Sequence, residues 1–516
     1  MTIPYSDWKH GEDYQIVELP DGRVLLFITG NHQLLGVSPE LGAHLQEGLH
    51  ALTPEESGEW SRLVEQGIVS DVNRNRLAAS SFSDGANLAI NINLTAFCNL
   101  GCTYCFADGG DYGRIQGKME SETVEYIFDL IRKHVTDTRA VRFEFFGGEP
   151  LLNFDRIKEI CDYSDAFSRE TGVEFINRIS TNLTVLPDGV LDLFARKKFI
   201  VSVSIDGGRE THDHNRPTKG GSGSFDKIIK NCIRVREASD EITLVARMTV
   251  VGDQVSITDN VRELMAYNIF DYFQIYPGVV PAEHNDIFSS LVTIERGPVT
   301  VGGGQQQKTG SGCGSSSKNT VDPTFYRQLS EFFDLYPTLF SPDNRFRGVL
   351  EYERFADMII EGKMALSYCS GGRNYYTVSP DDSIMPCHRL VGETEFQSGT
   401  GKEGLTADLS AWRLSVDEHP TCSKCWVRYI CGGGCKQENF VATGSLVEPN
   451  PEMCKSQIQL VENVVRMLAQ QGEKYRNQNR VPLEDLFVSC GRPLVMNLRS
   501  PGTALPGDLQ HFYSSY

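Results

Sequence analysis

Three of the chain's fourteen cysteines crowd into one short stretch, Cys98-x3-Cys102-x2-Cys105, and seven more fall between Cys369 and Cys454. Three thiolates on one loop, with Gly101 easing the turn, can hold three irons of a [4Fe–4S] cube and leave the fourth iron open. A single zinc would need a fourth ligand nearby, and no Cys, His or Asp stands at suitable spacing before Asp108. A redox dithiol would use only two of the three. Spacing favours the cluster and leaves the metal and redox alternatives open. In the second group, Cys422-x2-Cys425-x5-Cys431-x3-Cys435 is preceded by Cys369 and Cys387 and followed by Cys454. A structural zinc ribbon would explain four of these, but seven are awkward for one zinc. Cys161, Cys232 and Cys490 lie outside both patterns and read as ordinary buried thiols.

These cysteines sit in a chain of 516 residues, long enough for two or three domains. Hydrophobic residues make up 40% and charged residues 23%, as in an ordinary soluble protein. No apolar stretch reaches membrane-spanning length, and Met1–Gly11 lacks the apolar core of a signal peptide. A cytoplasmic location is the expectation, and in a reducing compartment clustered cysteines are metal ligands more often than disulfides. A net charge of −19 argues against a nucleic-acid backbone as partner.

Alternating strand and helix patterns must position the first cysteine loop. Candidate strands are Leu88–Leu94, Ala140–Phe146, Glu174–Ser180, Phe199–Ile205, Ile242–Val251 and Tyr272–Tyr276. Between them run amphipathic helices, such as Glu120–His134 with Val124, Ile127, Phe128 and Ile131 on one face. The pattern predicts an α/β fold with a parallel sheet and its chemistry at the C-terminal strand ends. Six units are too few for a closed eight-stranded barrel, so a partial barrel is expected. Residues 1–80 read as a separate winged-helix-like module. Its elements are a hairpin, Tyr14–Leu19 and Arg23–Thr29, helices Ser38–Leu52 and Thr53–Gln66, and a closing strand Gly67–Val69. Lacking a basic face, it is better suited to dock a peptide on a sheet edge than to bind DNA. Asn73–Asn87 reads as a linker, Gly302–Ser317 as a low-complexity loop, 321–368 as a helical bridge from Asp322-Pro323, and Lys455–Gln471 as a helix.

With its context, the first loop resembles the radical S-adenosylmethionine (SAM) superfamily, whose signature CxxxCx(aromatic)C follows the first strand of a partial (β/α)6 barrel. Tyr104 stands at the aromatic position, which the resemblance places against adenine. Gly147-Gly148-Glu149-Pro150, ending the second strand, matches the GGEP motif that receives the methionine amino group. Glycines open backbone groups to a ligand, and a carboxylate suits an ammonium. Ser180 and Asn182 end the third strand, where the family places ribose-binding groups. Ser204 and Asp206 end the fourth, and Arg216 follows where related enzymes hold the SAM carboxylate. For each of these five the ordinary reading, strand-end capping, weighs equally. The resemblance places the barrel at 87–320. It implies that the unique iron chelates SAM, that the reduced cluster cleaves it, and that a 5′-deoxyadenosyl radical abstracts substrate hydrogen. No catalytic side chain follows from the motifs.

The later cysteines resemble a SPASM domain, here 369–472, followed by an unassigned tail at 473–516. The resemblance implies two auxiliary [4Fe–4S] clusters, making three in all with SAM as cosubstrate. Cys422, Cys425, Cys431 and Cys454 would ligate one of them; Cys369, Cys387 and Cys435 would ligate the other. Two closures compete for the latter: Cys313, or an open iron taking a substrate thiolate, the second being preferred. Asp382 replaces the usual glycine, a position where Asp can also turn the chain. SPASM enzymes mostly modify ribosomally made peptides, and the N-terminal module resembles their peptide-recognition element. Anaerobic sulfatase maturases carry a catalytic Asp where this chain has His388, which lowers the formylglycine reading. Cys387-His388-Arg389 and Arg428–Cys435 look more like maturases that join a Cys sulfur to carbon. The expected reaction is thioether cross-linking in a precursor peptide, with a flavodoxin or ferredoxin as electron donor and no nucleic acid or membrane. Alternatives are a carbon–carbon link, epimerisation, formylglycine formation or small-molecule dehydrogenation. A purely electron-carrying protein would have no use for GGEP at a strand end.

Overall fold

Strand alternation and helix capping build the N-terminal module. β1 (Tyr14–Glu18), β2 (Val24–Ile28) and β3 (Leu34–Val37) form an antiparallel sheet in that order. Helix Pro39–Glu47 starts at Ser38, whose side chain accepts from Leu41 N, and helix Pro54–Glu65 starts at a Thr53–Glu56 capping box. Trp8, Tyr14, Ile16, Leu26, Leu45 and Trp60 close a small core of their own. Two expectations are corrected here. Gly67–Val69 is not a strand: Gly67 turns at φ +70°, and the amides of Ile68 and Val69 both donate to Leu63 O at the helix end. The third strand is Leu34–Val37 instead. The first helix also stops at Glu47 rather than Leu52, because Gly48 takes φ +122°.

The computed structural model describes residues 8–70, 87–105, 107–112, 115–134, 140–251, 256–278, 323–341, 343–476 and 495–497. Cys313, Cys490, the Gly302–Ser317 stretch and most of the 473–516 tail lie outside them. The barrel strands are β4 (Asn87–Asn93), β5 (Ala140–Phe146), β6 (Glu174–Thr181), β7 (Ile200–Ser204), β8 (Thr243–Val250) and β9 (Tyr272–Pro277). Each lies within one residue of its expected range at either end. All five neighbouring pairs are parallel, giving the expected α/β sheet. β10 (Gly348–Val349) pairs parallel to β9 and extends the sheet into the segment read as a helical bridge.

The period of two sorts each strand. Ile90, Ile92, Phe143, Phe145, Ile179, Val201, Val203, Ala246 and Phe273 join the helices, Val124, Ile127, Phe128 and Ile131 among them, in one core. Each fully buried Ile or Phe contributes about 1.5–3 kcal/mol. The opposite face carries Asn91, Glu144 and Arg178 in register across β4 to β6, Ser202 opposite Ser180, and Ser204, Arg247 and Gln274 in register across β7 to β9. Earlier on β7, β8 and β9, Ile200, Val245 and Tyr272 join Leu350 in an apolar cluster at the N-terminal strand ends. The inner face is therefore apolar at one end and polar towards the end where the cysteine loop stands.

β11 (Lys363–Ala365) pairs with β16 (Val495–Asn497), so part of the unassigned tail is an antiparallel strand. β12 (Tyr375–Val378) pairs parallel to β4 and carries β13 (Ser383–Met385), β14 (Gly399–Thr400) and β15 (Gly404–Leu405) beyond it. The cysteine-rich region thus continues the barrel's own sheet. A turn joins β12 to β13, with Asp382 N donating to Ser379 O and Asp382 at φ +68°, the left-handed geometry glycine would supply. The last helix, Pro451–Arg476, runs longer than expected at both ends.

Candidate functional site

Backbone hydrogen bonds hold the first cysteine loop against the end of β5 and against the segment that follows helix Arg209–Asn215. Gly148 N donates to Thr95 O and Glu149 N to Phe97 O, both at 2.8 Å. Gly101 N donates to Pro217 O at 2.8 Å and Thr103 N to Asn215 O at 3.0 Å. The contact is close enough to need glycine: a Cβ on Gly148 would stand 2.3 Å from Phe97 O and 2.9 Å from Cys98 N.

Each of the three sulfurs receives at least one N–H. Asn182 Nδ2 lies 3.7 Å from Cys98 Sγ, Arg216 Nη1 3.9 Å from Cys102 Sγ, and Gly109 N 3.4 Å from Cys105 Sγ. Burial pushes the Cys98 thiol up to about 12 and raises Cys102, with Arg216 pulling Cys102 back. A buried thiolate is stable here only beside a cation that takes up its charge.

Next to this loop the other named residues form a tight set. Tyr104 donates its hydroxyl to Asp206, whose Oδ2 lies 2.9 Å from Arg216 Nε, and the guanidinium stands 5.2 Å from the Tyr104 ring centre. Thr249 N donates to Asp206 Oδ1 at 3.0 Å. Glu149 is wholly buried and accepts from Thr181 Oγ1, Asn182 N and Leu151 N at 2.6, 2.7 and 3.0 Å. Burial still pushes its carboxyl up to about 7. Three donors fill most of a carboxylate's roughly four acceptor positions, leaving room for one more. Ser180 spends its hydroxyl on Glu144, while Ser204 stays half-buried at the end of β7. Asn93, 1% exposed, ends β4 with neither amide atom hydrogen-bonded, and a Cβ on Gly147 would meet its Oδ1 at 2.7 Å. An orphaned buried amide beside an open glycine turn fits a polar ligand there.

The seven later cysteines fall into two groups. Cys387 lies within electrostatic reach of Cys435 and Cys369, and Cys435 of Cys369. Cys422 lies within reach of Cys431, Cys454 and Cys425. The loop around Gly432 packs backbone to backbone on Ser367–Tyr368, where a Cβ would approach to 2.5 Å. Buried Lys436 donates to Ser367 Oγ at 2.8 Å, and the Arg389–Glu438 ion pair flanks Cys435 and Cys387. Among the described residues no three His, Cys, Asp or Glu side chains close on a single-ion site. Cys161 and Cys232 lie fully buried in apolar helix faces.

Sequence reasoning missed what joins the groups. Tyr112, 1% exposed, lies within electrostatic reach of both Cys105 and Cys387, and burial raises its phenol strongly. His388 Nδ1 meets Tyr375 OH at 2.9 Å, and its ring packs on Phe146 at the end of β5. Burial, with the Arg389 and Arg247 charges, pushes His388 down to about 3. The N-terminal module docks on the Cys425–Cys431 loop: Trp426 N donates to Gly11 O at 3.0 Å, Phe27 packs on Trp426, and Arg428 pairs with Asp13 at 3.6 Å. Only the position of Tyr112 shortly after Cys105 could have signalled any of these.

A parallel α/β sheet with a cysteine loop and a buried polar set at its C-terminal strand ends defines a cofactor-dependent class of protein. Residues 92–261 match the Radical SAM superfamily. The chain is 24% identical over 365 residues to a cysteine-type anaerobic sulfatase-maturating enzyme of Clostridium novyi, covering 66% of this chain and 87% of that protein. It is 25% identical over 384 residues to an uncharacterized protein of Archaeoglobus fulgidus, covering 70% and 77%. The solved structure of native anSMEcpe with bound AdoMet superposes with a TM-score of 0.58 at 19% identity, over 74% of this chain and 98% of that one. The chain therefore carries a radical SAM domain, with the SAM and [4Fe–4S] cluster that domain implies, and is an enzyme. No helix among the described residues is long and apolar enough to cross a membrane.

Proposed function

We propose that this enzyme matures a ribosomally made peptide by forming thioether cross-links between a Cys sulfur and a carbon of another residue. Cys98, Cys102 and Cys105 would hold the cluster that binds SAM; Cys369, Cys387 and Cys435 would hold one auxiliary cluster, and Cys422, Cys425, Cys431 and Cys454 the other. When bound, the first cluster and SAM supply a 5′-deoxyadenosyl radical that abstracts hydrogen, and the auxiliary clusters supply an acceptor for the electron left by bond formation. Tyr104 and Arg216, tied together by Asp206, would wall one side of the SAM site. Glu149 and the glycines before it would receive the methionine end, and Asn93 has its amide free to join them. Tyr112 and His388 exclude water from the space between the barrel mouth and the cysteine-rich region. The N-terminal module would grip the leader of the peptide.

The observation that carries this reading is the joining of the three cysteine groups. Tyr112 lies within electrostatic reach of both Cys105 and Cys387, and the N-terminal module rests on the loop of the third group. A peptide held by the module would then span from auxiliary cluster to barrel mouth. Formylglycine formation is the second reading, favoured by the C. novyi relative. His388 in place of an Asp speaks against it.

A short cysteine-containing peptide encoded beside this gene, incubated with reduced enzyme and SAM, separates the two. Thioether formation removes about two hydrogens per cross-link and consumes a thiol with sulfur retained. Formylglycine formation at Cys replaces sulfur by oxygen and also removes two hydrogens. Unchanged mass would mean epimerisation, and a two-hydrogen loss with all thiols titratable would mean a carbon–carbon link. Each of these last outcomes overturns the thioether assignment.

A further inference from the structure

Among the described residues, two arginines beside the cysteine loop and on the inner face, Arg216 and Arg178, are paired with acids, and a third, Arg247, is not. Arg178 Nε lies 3.2 Å from Glu144 Oε2, and its Nη2 donates to Gln274 Oε1 at 2.8 Å. Arg216 has Asp206. Arg247 of β8 sits between Ser204 of β7 and Gln274 of β9 in the sheet register, half-buried near the C-terminal strand ends. Its guanidinium stands 5.6 Å from the Tyr276 ring centre and, among the described residues, meets no carboxylate. It acts electrostatically on Tyr112 and on His388, whose ring packs on Phe146 at the end of β5, whereas Arg216 is the cation beside Cys102. Arg247 therefore stands on the inner face near the C-terminal strand ends, where a substrate would enter, and takes no part in the Asp206–Arg216 pair.

A guanidinium held against an aromatic face in a half-enclosed space has given up water without gaining an acid. A carboxylate entering from above would restore both, through paired N–H···O bonds in fixed geometry. We propose that Arg247 binds the side-chain carboxylate of an Asp or Glu in the substrate peptide, close to the residue that reacts. Arg247 is thereby a specificity residue. The proposal rests on the peptide reading above. It is demanding for a chain of net charge −19, whose overall field repels an acidic peptide and leaves the preference to a local cation.

The test uses cluster-reconstituted enzyme with SAM and a library of equal-length capped cysteine peptides, amidated at the C-terminus, with one position varied among Glu, Asp, Gln, Asn, Lys and Ala. Peptides retained by the enzyme are counted by mass spectrometry, and SAM affinity is measured separately by calorimetry. Wild type should enrich Glu and Asp at least five-fold over Gln and Asn. Arg247→Gln should abolish that ratio, Arg247→Lys should keep part of it, and both should hold iron content and bind SAM within two-fold of wild type. No acidic enrichment, or enrichment that survives Arg247→Gln, overturns the proposal. A ten-fold loss of SAM affinity in Arg247→Gln with the peptide ratio intact also overturns it, assigning Arg247 to the SAM carboxylate. Retention of no peptide of any sequence would instead strike the peptide reading itself.

Discussion

Replacing Asp206 by Asn tests the arrangement beside Cys102 most sharply. Asp206 is wholly buried and Arg216 is 8% exposed, with Oδ2 and Nε 2.9 Å apart. At an effective dielectric constant of about 20 the bare attraction at that distance is about 6 kcal/mol, most of which offsets the desolvation of both ions. Removing one charge leaves the other buried and unpaired, a loss of about 3–5 kcal/mol. The Asn oxygen still accepts from Thr249 N, returning about 1 kcal/mol, so Asp206→Asn should destabilise the barrel by about 3 kcal/mol. In urea, with a slope of about 2 kcal/mol/M, the barrel transition seen by circular dichroism should fall by roughly 1–2 M. Arg216→Met should cost about as much, and the double variant should cost at least about 2 kcal/mol less than the sum. A loss under about 1 kcal/mol for Asp206→Asn, or strict additivity in the cycle, would refute the reasoning that these groups form one buried unit.

Gly148→Ala drives a methyl into the Phe97 carbonyl and the Cys98 amide, both backbone, so the cysteine loop must move; iron analysis should show about four fewer irons per chain, with the auxiliary clusters retained. Burial raises the Glu351 carboxyl from 4.5 to about 7, so the folded state holds a proton that the unfolded state has released. Its contribution is intact below about pH 4.5 and is lost as pH rises through 7. Glu351→Gln should therefore be more stable than wild type at pH 8, by denaturant titration, with the advantage gone by pH 4. Asp13→Ala strands Arg428 beneath the N-terminal module at a cost of about 3 kcal/mol, and limited proteolysis should release that module faster while the barrel stays intact.

Much of this was legible because the signals were local. Strand ranges followed from the alternation of strand and helix patterns, helix starts from Ser38 and Thr53, the two cysteine-rich stretches from spacing, and the division of the later one from the family resemblance. Gly67–Val69 misled because its apolar residues read as a strand, whereas their amides were already committed to Leu63. β10 and β16 are too short to show a period, and β12 could be assigned to the barrel sheet only through pairing with a strand nearly three hundred residues earlier. The roles of Tyr112 and Arg247 depend on neighbours distant in sequence, and a lone Arg in an alternating strand carries no mark of having no acid partner.

The central claim is that the loop Cys98–Cys105 generates a radical for use on a peptide. Its most direct test is 5′-deoxyadenosine measured by chromatography from iron-loaded, reduced enzyme with SAM, beside Cys102→Ala carrying its auxiliary iron. The account predicts steady formation by wild type and none by the variant. Wild type that carries its full iron and forms no 5′-deoxyadenosine, or a Cys102→Ala variant that forms as much, would contradict it.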